Sequence, residues 1–171
     1  EDEEIERAFS VPPLSGVIVI PGNIAYLNQF FSILTLVSNA APGHSNLTAH
    51  DVRAEIVLPS GTDTVAGSGD DPLKMARVGS PPAEQSRLLP VTLAGPDGQF
   101  GTRHDILFIA PQSSGNSEHL VEGLREGTHT LEIKISAMLH GLPIGPVPIS
   151  GRVLGSVEVR NPTFALTLSL P

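Results

Sequence analysis

The segment Thr128 to Leu139, THTLEIKISAML, constrains the fold more than any other part of the chain. Leu131, Ile133, Ile135 and Ala137 alternate with Thr130, Glu132, Lys134 and Ser136. A period of two suits a strand with one buried face, because successive side chains leave opposite sides of the pleat. A helix would scatter the same apolar groups around its circumference. The alternation returns at Val52, Ala54, Ile56 and Leu58 against Asp51, Arg53 and Glu55. It returns again at Phe164, Leu166, Leu168 and Leu170 against Ala165, Thr167 and Ser169.

Strands are expected at Gly16–Ile20, Phe30–Ser38, Asp51–Leu58, Leu73–Val78, Leu88–Leu93, Asp105–Ala110, Leu120–Val121, Thr128–Leu139, Pro148–Arg160 and Thr163–Leu170. Turn signals stand between them, among them Pro21-Gly22-Asn23, Ala41-Pro42-Gly43, Pro59-Ser60-Gly61, Gly95-Pro96-Asp97-Gly98 and Arg125-Glu126-Gly127. Many short strands at this turn density, without an amphipathic helix, describe an all-β chain, an antiparallel β-sandwich before a barrel. The Gly- and Pro-rich stretches Ser60–Asp71 and Val78–Ser86 are expected as surface loops. Pro143, Pro146 and Pro148 are placed to protect a sheet edge or to bend a strand between sheets.

The organisation expected is a charged lead-in over residues 1–12, a sandwich over 13–160, and a final segment over 161–171. Asn161-Pro162 marks either a corner within the sandwich or a boundary, so Thr163–Leu170 is its last strand or the first of a following module. A start at Glu1 followed by Asp-Glu-Glu has neither the basic nor the apolar region of a signal peptide, which suggests a piece of a longer or matured polypeptide.

Composition narrows the function classes. The 171 residues are 40% hydrophobic, enough for a sizeable core, and carry a formal net charge of −8. Nucleic acids and anionic membranes call for clustered Lys and Arg, so neither is an expected partner. Aromatic residues make up 4% and Trp is absent, which disfavours sugar recognition by ring stacking. Without cysteine there is no disulfide or thiolate metal site. Apolar runs such as Gly16–Ile20 and Phe30–Val37 fall short of the roughly 20 residues of a membrane-spanning helix.

The run Phe31–Pro59, FSILTLVSNAAPGHSNLTAHDVRAEIVLP, has a strand ending at Ser38-Asn39, a short linker, and a second strand closing at Leu58-Pro59. The later run Gly123–Leu131, GLREGTHTL, places a glycine turn before a rising strand. Both resemble bacterial immunoglobulin-like modules of the cell-adhesion-related (CARDB-like) kind. The likeness spans about half the chain, and Ser60–Arg103 is longer than its counterpart in such modules. The resemblance implies a non-catalytic module of a larger exported or surface protein, often in tandem array.

Candidate chemistry is sparse. Asp63, Asp70 and Asp71 lie on a glycine-rich loop and could offer a hard cation such as calcium its oxygen ligands, although their spacing matches no EF-hand. The six histidines, His44, His50, His104, His119, His129 and His140, form no zinc spacing and are expected on turns and strand edges. Gly43-His44-Ser45-Asn46-Leu47 lacks the last glycine of a nucleophile elbow, and a triad with His50 and Asp51 has adjacency without geometry. Asn46-Leu47-Thr48 is formally a glycosylation sequon. Glu132 and Glu158 fall on outer strand faces and are assigned no catalytic role.

The expected function is therefore a structural or interaction module with no catalytic residues and no cofactor, from a secreted or surface protein. Its partners would be neighbouring domains or another protein. The alternative is an accessory carbohydrate- or calcium-binding domain of a secreted enzyme.

Overall fold

Alternating sequences become strands where one row of side chains finds an opposing apolar face. In the computed structural model, which describes residues 14–20 and 23–162, twelve strands form. They are β1 (Leu14–Val19), β2 (Ile24–Tyr26), β3 (Phe30–Asn39), β4 (Thr48–Val57), β5 (Leu73–Met75) and β6 (Arg77–Val78), then β7 (Ala83–Glu84), β8 (Leu88–Pro90), β9 (Phe108–Ile109), β10 (Ser114–Gly123), β11 (Gly127–His140) and β12 (Val147–Arg160). Thr163–Leu170 and the lead-in over 1–12 lie outside the described residues.

The first sheet has the order β1-β3-β10-β5, with every pair antiparallel. The second runs β2-β12-β11-β4-β8, with β9 also on β4. Its pairs are antiparallel except β2 with β12, which are parallel. A small hairpin of β6 and β7 stands apart.

Both large sheets feed one hydrophobic cluster. Ile33, Val37 and Val121 come from the first; Val52, Ala54, Ile56, Leu131, Ile133, Val157 and Val159 come from the second. The row predicted from Thr128–Leu139 is this inner row: Leu131, Ile133 and Ile135 are at most 7% exposed. A bulge between Ser136 and Met138 admits an extra residue into β4, and Asp51 there has φ 49°. Ala49 and Val52 consequently both face inward, which is why the alternation in β4 starts cleanly only at Val52.

Several elements depart from expectation, among them the β6–β7 hairpin, which closes the loop expected over Val78–Ser86, and the strand expected over Leu88–Leu93, which stops at Pro90. β10 is ten residues long where only Leu120–Val121 was expected, because its inward row is Gly115, Ser117, His119, Val121 and Gly123, too polar to read as a buried face. β2, not expected from the sequence, has only three residues. The expected strand Leu73–Val78 is broken at Ala76 into β5 and β6. Of Asp105–Ala110, only Phe108–Ile109 pairs as a strand.

The free edge of β10 is closed piecemeal. β5 pairs with Val121–Gly123, and Thr92 bridges to Asn116. Between them the Gln85 carboxamide substitutes for a peptide group: its oxygen accepts from Leu120 N at 2.7 Å, and its nitrogen donates to the Glu118 carbonyl at 3.2 Å. Val91 N donates to Val52 O in the second sheet, while the next residue, Thr92, exchanges bonds with Asn116 in the first. The chain thus crosses between sheets within two residues.

Candidate functional site

The loops 40–47 and 141–146 emerge at one end of the two sheets, joined there by β9. Asn39, 1% exposed, fastens this end. Its side-chain nitrogen donates to Leu47 O and Ile109 O, both at 2.9 Å, and its oxygen accepts from Ala41 N at 3.1 Å. The Asn that marked a turn in the sequence is therefore a buried hub satisfying two backbone groups of the 40–47 loop and one of β9. Gly141 completes the packing, with φ 100° and no room for a Cβ beside the Asn46 carbonyl. A side chain there would strain the backbone and collide with the neighbouring loop.

On this frame His50 stacks against Phe108 with ring centroids 5.5 Å apart, and meets His140 at 4.1 Å with the two rings tilted by 37°. His50 Nε2 lies 3.0 Å from Thr48 Oγ1. Leu107, Phe108 and Ile144, at 63%, 43% and 74% exposed, put apolar surface at the same end. Flat rings and exposed aliphatic groups are the chemistry of protein recognition, where aromatic anchors contribute most.

The structure does not assemble the triad drawn from Ser45, His50 and Asp51. Ser45 Oγ is buried without a hydrogen-bond partner, and His50 is occupied by Thr48 and its ring neighbours. Glu132 lies 3.9 Å from Arg152, and Glu158 holds Arg160 at 3.0 and 2.9 Å. These are surface pairs on the outer faces of the sheet.

Asp63, Asp70 and Asp71 do come together. Ser68 Oγ lies within hydrogen-bonding reach of an oxygen of each. Asp71, expected on a surface loop, is 6% exposed and accepts from Gly61 N and Gly67 N. Asp70 accepts from Ser68 and Thr62 hydroxyls and Asp63 N, and those two hydroxyls hold its carboxyl well below the usual carboxylate range. Asp63 accepts from Val65 N at 2.8 Å. The carboxylates staple the loop backbone. Among the described residues no group of three or more His, Cys, Asp or Glu is placed to hold a metal ion.

The histidines are less alike than the sequence suggested. His44 is exposed on its turn, His104 sits 3.2 Å from Asp97, and His129 Nε2 donates to Arg125 O at 2.9 Å. His119, expected on a turn or an edge, instead lies on the inner face of β10 with no exposure at all. Its Nε2 donates to Arg87 O at 2.8 Å, and its Nδ1 has no partner. Burial lowers its pKa, outweighing the hydrogen bond to Arg87. Thr35 and Ser117, paired across β3 and β10, also carry buried hydroxyls without partners. A Ser-x-His alternation within a strand was the available signal, and it was masked by the polarity of its flanks.

The concavities among the described residues include two that flank Arg152. One, about 120 Å³, lies between β1 and β12 and is lined by Leu14, Gly16, Ile135, Ile149, Gly151 and Val153, without acid or histidine. A broad hollow on the outer face of the second sheet is bounded by Glu55, Glu132, Lys134 and Arg152.

No protein-family model matches the chain, and no curated protein matches it. One solved structure, described as AvmM, which catalyses macrocyclization in alchivemycin A biosynthesis, superposes with a TM-score of 0.45 at 11% identity, over 91% of this chain and 93% of that chain.

Proposed function

We propose that the chain is an immunoglobulin-like β-sandwich acting as a non-catalytic, cofactor-free interaction or spacer module of a larger surface or secreted protein. The observation that carries this reading is strand order. In immunoglobulin-like domains one sheet runs A-B-E-D and the other G-F-C, with further strands added beside C in the variable type. Here β1, β3, β10 and β5 take the first order, and β12, β11 and β4 take the second, with β8 beside the C position. A departure accompanies it: β8 follows β5 in the chain, so the strand beside C is reached after the D position. The bacterial cell-adhesion-related kinship rests on the sequence landmarks, of which Asn39 is a structural hub.

Partners of this module are neighbouring domains or another protein, met through the His50, Phe108 and Ile144 end. Thermal melting with added calcium and with a panel of soluble glycans separates it from an accessory ligand-binding domain. A module of the proposed kind keeps its midpoint throughout. A ligand bound only by the folded chain raises the midpoint, by about 2.7 kcal/mol of stability at a hundredfold excess over Kd, and such a rise refutes the proposal.

A further inference from the structure

The second sheet ends in β12, and β12 is only partly covered. Leu27 N donates to Arg160 O across the parallel pair, so the peptide groups of Arg160 point away from β11. The β11–β12 register is unbroken over Gly127–Leu139, so direction alternates regularly back along β12. The N–H and C=O groups of Ser150, Arg152, Leu154 and Ser156 therefore face outward too, with no strand beside them among the described residues. β2 closes one end of this window at Glu158–Arg160. Pro148 closes the other, its missing N–H falling on the outward side, as an edge proline requires. Edge strands normally carry stronger protection than this.

From this edge we infer that the chain pairs with a second copy of itself, β12 against β12 and antiparallel, about a two-fold axis at Val153. The inference deepens the interaction-module reading and rests on it for the nature of the partner. The window between Pro148 and β2 sets the register: Ser150 faces Ser156 of the second copy, and Arg152 faces Leu154. Every exposed donor in the window then meets an acceptor, and β2 is not displaced. Side chains agree with the choice. Leu154 is 62% exposed on the outer face, and pairing covers it with the stem of Arg152 from the other copy.

Charge agrees as well. Within one chain Arg152 stands directly opposite Lys134, a like-charge pair, and reaches Glu132 only at 3.9 Å. Across the two-fold axis the strand beyond Leu154 presents Glu132, its register partner on β11, to the incoming guanidinium. The cavity beneath Gly151 leaves room at the core side of the same seam.

The chain has no cysteine, so single cysteines report position cleanly. Full-length Ser150→Cys and Ser156→Cys, one carrying a size tag, are mixed and oxidised, and wild type is followed by sedimentation velocity over a concentration series. A hydrogen-bonded pair has Cα atoms about 5.5 Å apart, within disulfide range, whereas two copies of Ser150 would lie roughly 20 Å apart. The expected result is a reversible dimer, mixed disulfides in strong excess over like-with-like disulfides, and a Kd weakened at least about tenfold by Leu154→Lys with circular dichroism unchanged. Wild type that stays monomeric, statistical disulfides, or a dimer indifferent to Leu154→Lys overturns the pairing. So does dimerisation seen only after removal of residues 163–171, since that segment would then cover the edge. Any of these outcomes leaves the module reading standing, because that falls only to a ligand-induced rise in melting.

Discussion

His119 makes a quantitative prediction about stability and pH. The folded imidazole is enclosed by both sheets, bonded at Nε2 and unpaired at Nδ1, and its burial disfavours the charged form. In the unfolded chain it titrates near the ordinary value of about 6.5. Below that value the unfolded state binds a proton that the folded state refuses, so this stabilising contribution is complete above about pH 6.5 and declines as pH falls. A folded ring that stayed neutral throughout would lose about 2 kcal/mol between about pH 8 and about pH 5, which bounds the effect from above. For a domain of this size that corresponds to roughly 4–8 °C in Tm. His119→Leu should abolish the effect. Arg87 O keeps its bond from Ile56 N at 3.0 Å, so the substitution strands no carbonyl and removes an unpaired buried nitrogen. Chemical denaturation of both proteins at the two pH values measures the difference directly, with the other five histidines cancelling. Parallel losses in wild type and His119→Leu would refute the reasoning.

Three further outcomes follow from packing and hydrogen bonding. Asn39→Ala should cost about 3 kcal/mol, because it strands backbone groups of the 40–47 loop and of β9, and urea unfolding should show the midpoint fall with the slope unchanged. Gly141→Ala should destabilise by more than the roughly 1 kcal/mol of an ordinary glycine position, since its Cβ would meet Asn46 O as well as adopting φ 100°, and a drop in Tm checks it. Asp71→Ala should free Gly61 N and Gly67 N, raising amide exchange across residues 61–71 by about tenfold or more while β11 stays protected.

The parts of the fold legible in the sequence are those where both signals, apolar alternation and turn chemistry, agree. Leu131, Ile133 and Ile135 showed their burial because their row is apolar without a break from Leu131 to Leu139. β10 hid its own because Ser117 and His119 occupy inward positions, and tertiary context buried them regardless of type. β2 was invisible for a different reason: three residues carry no period, and the strand exists because β12 offers an edge beside it. The site was less legible. Asp63, Asp70 and Asp71 were visible as an acidic loop, yet their use as backbone staples depends on where Gly61, Gly67 and Ser68 fold back. The ring contact of His50 with His140 joins residues ninety positions apart in the chain through the β4–β11 pairing. Only register, which no local pattern carries, could bring them together.

The order of strands in the two sheets carries the immunoglobulin-like reading, and a NOESY spectrum of isotopically labelled protein tests it most directly. The account predicts backbone contacts joining Thr35 with Ser117 and Val121 with Met75 in one sheet, and Ile133 with both Ile56 and Val153 in the other. Contacts that pair β3 directly with β4, or β10 directly with β11, would contradict it.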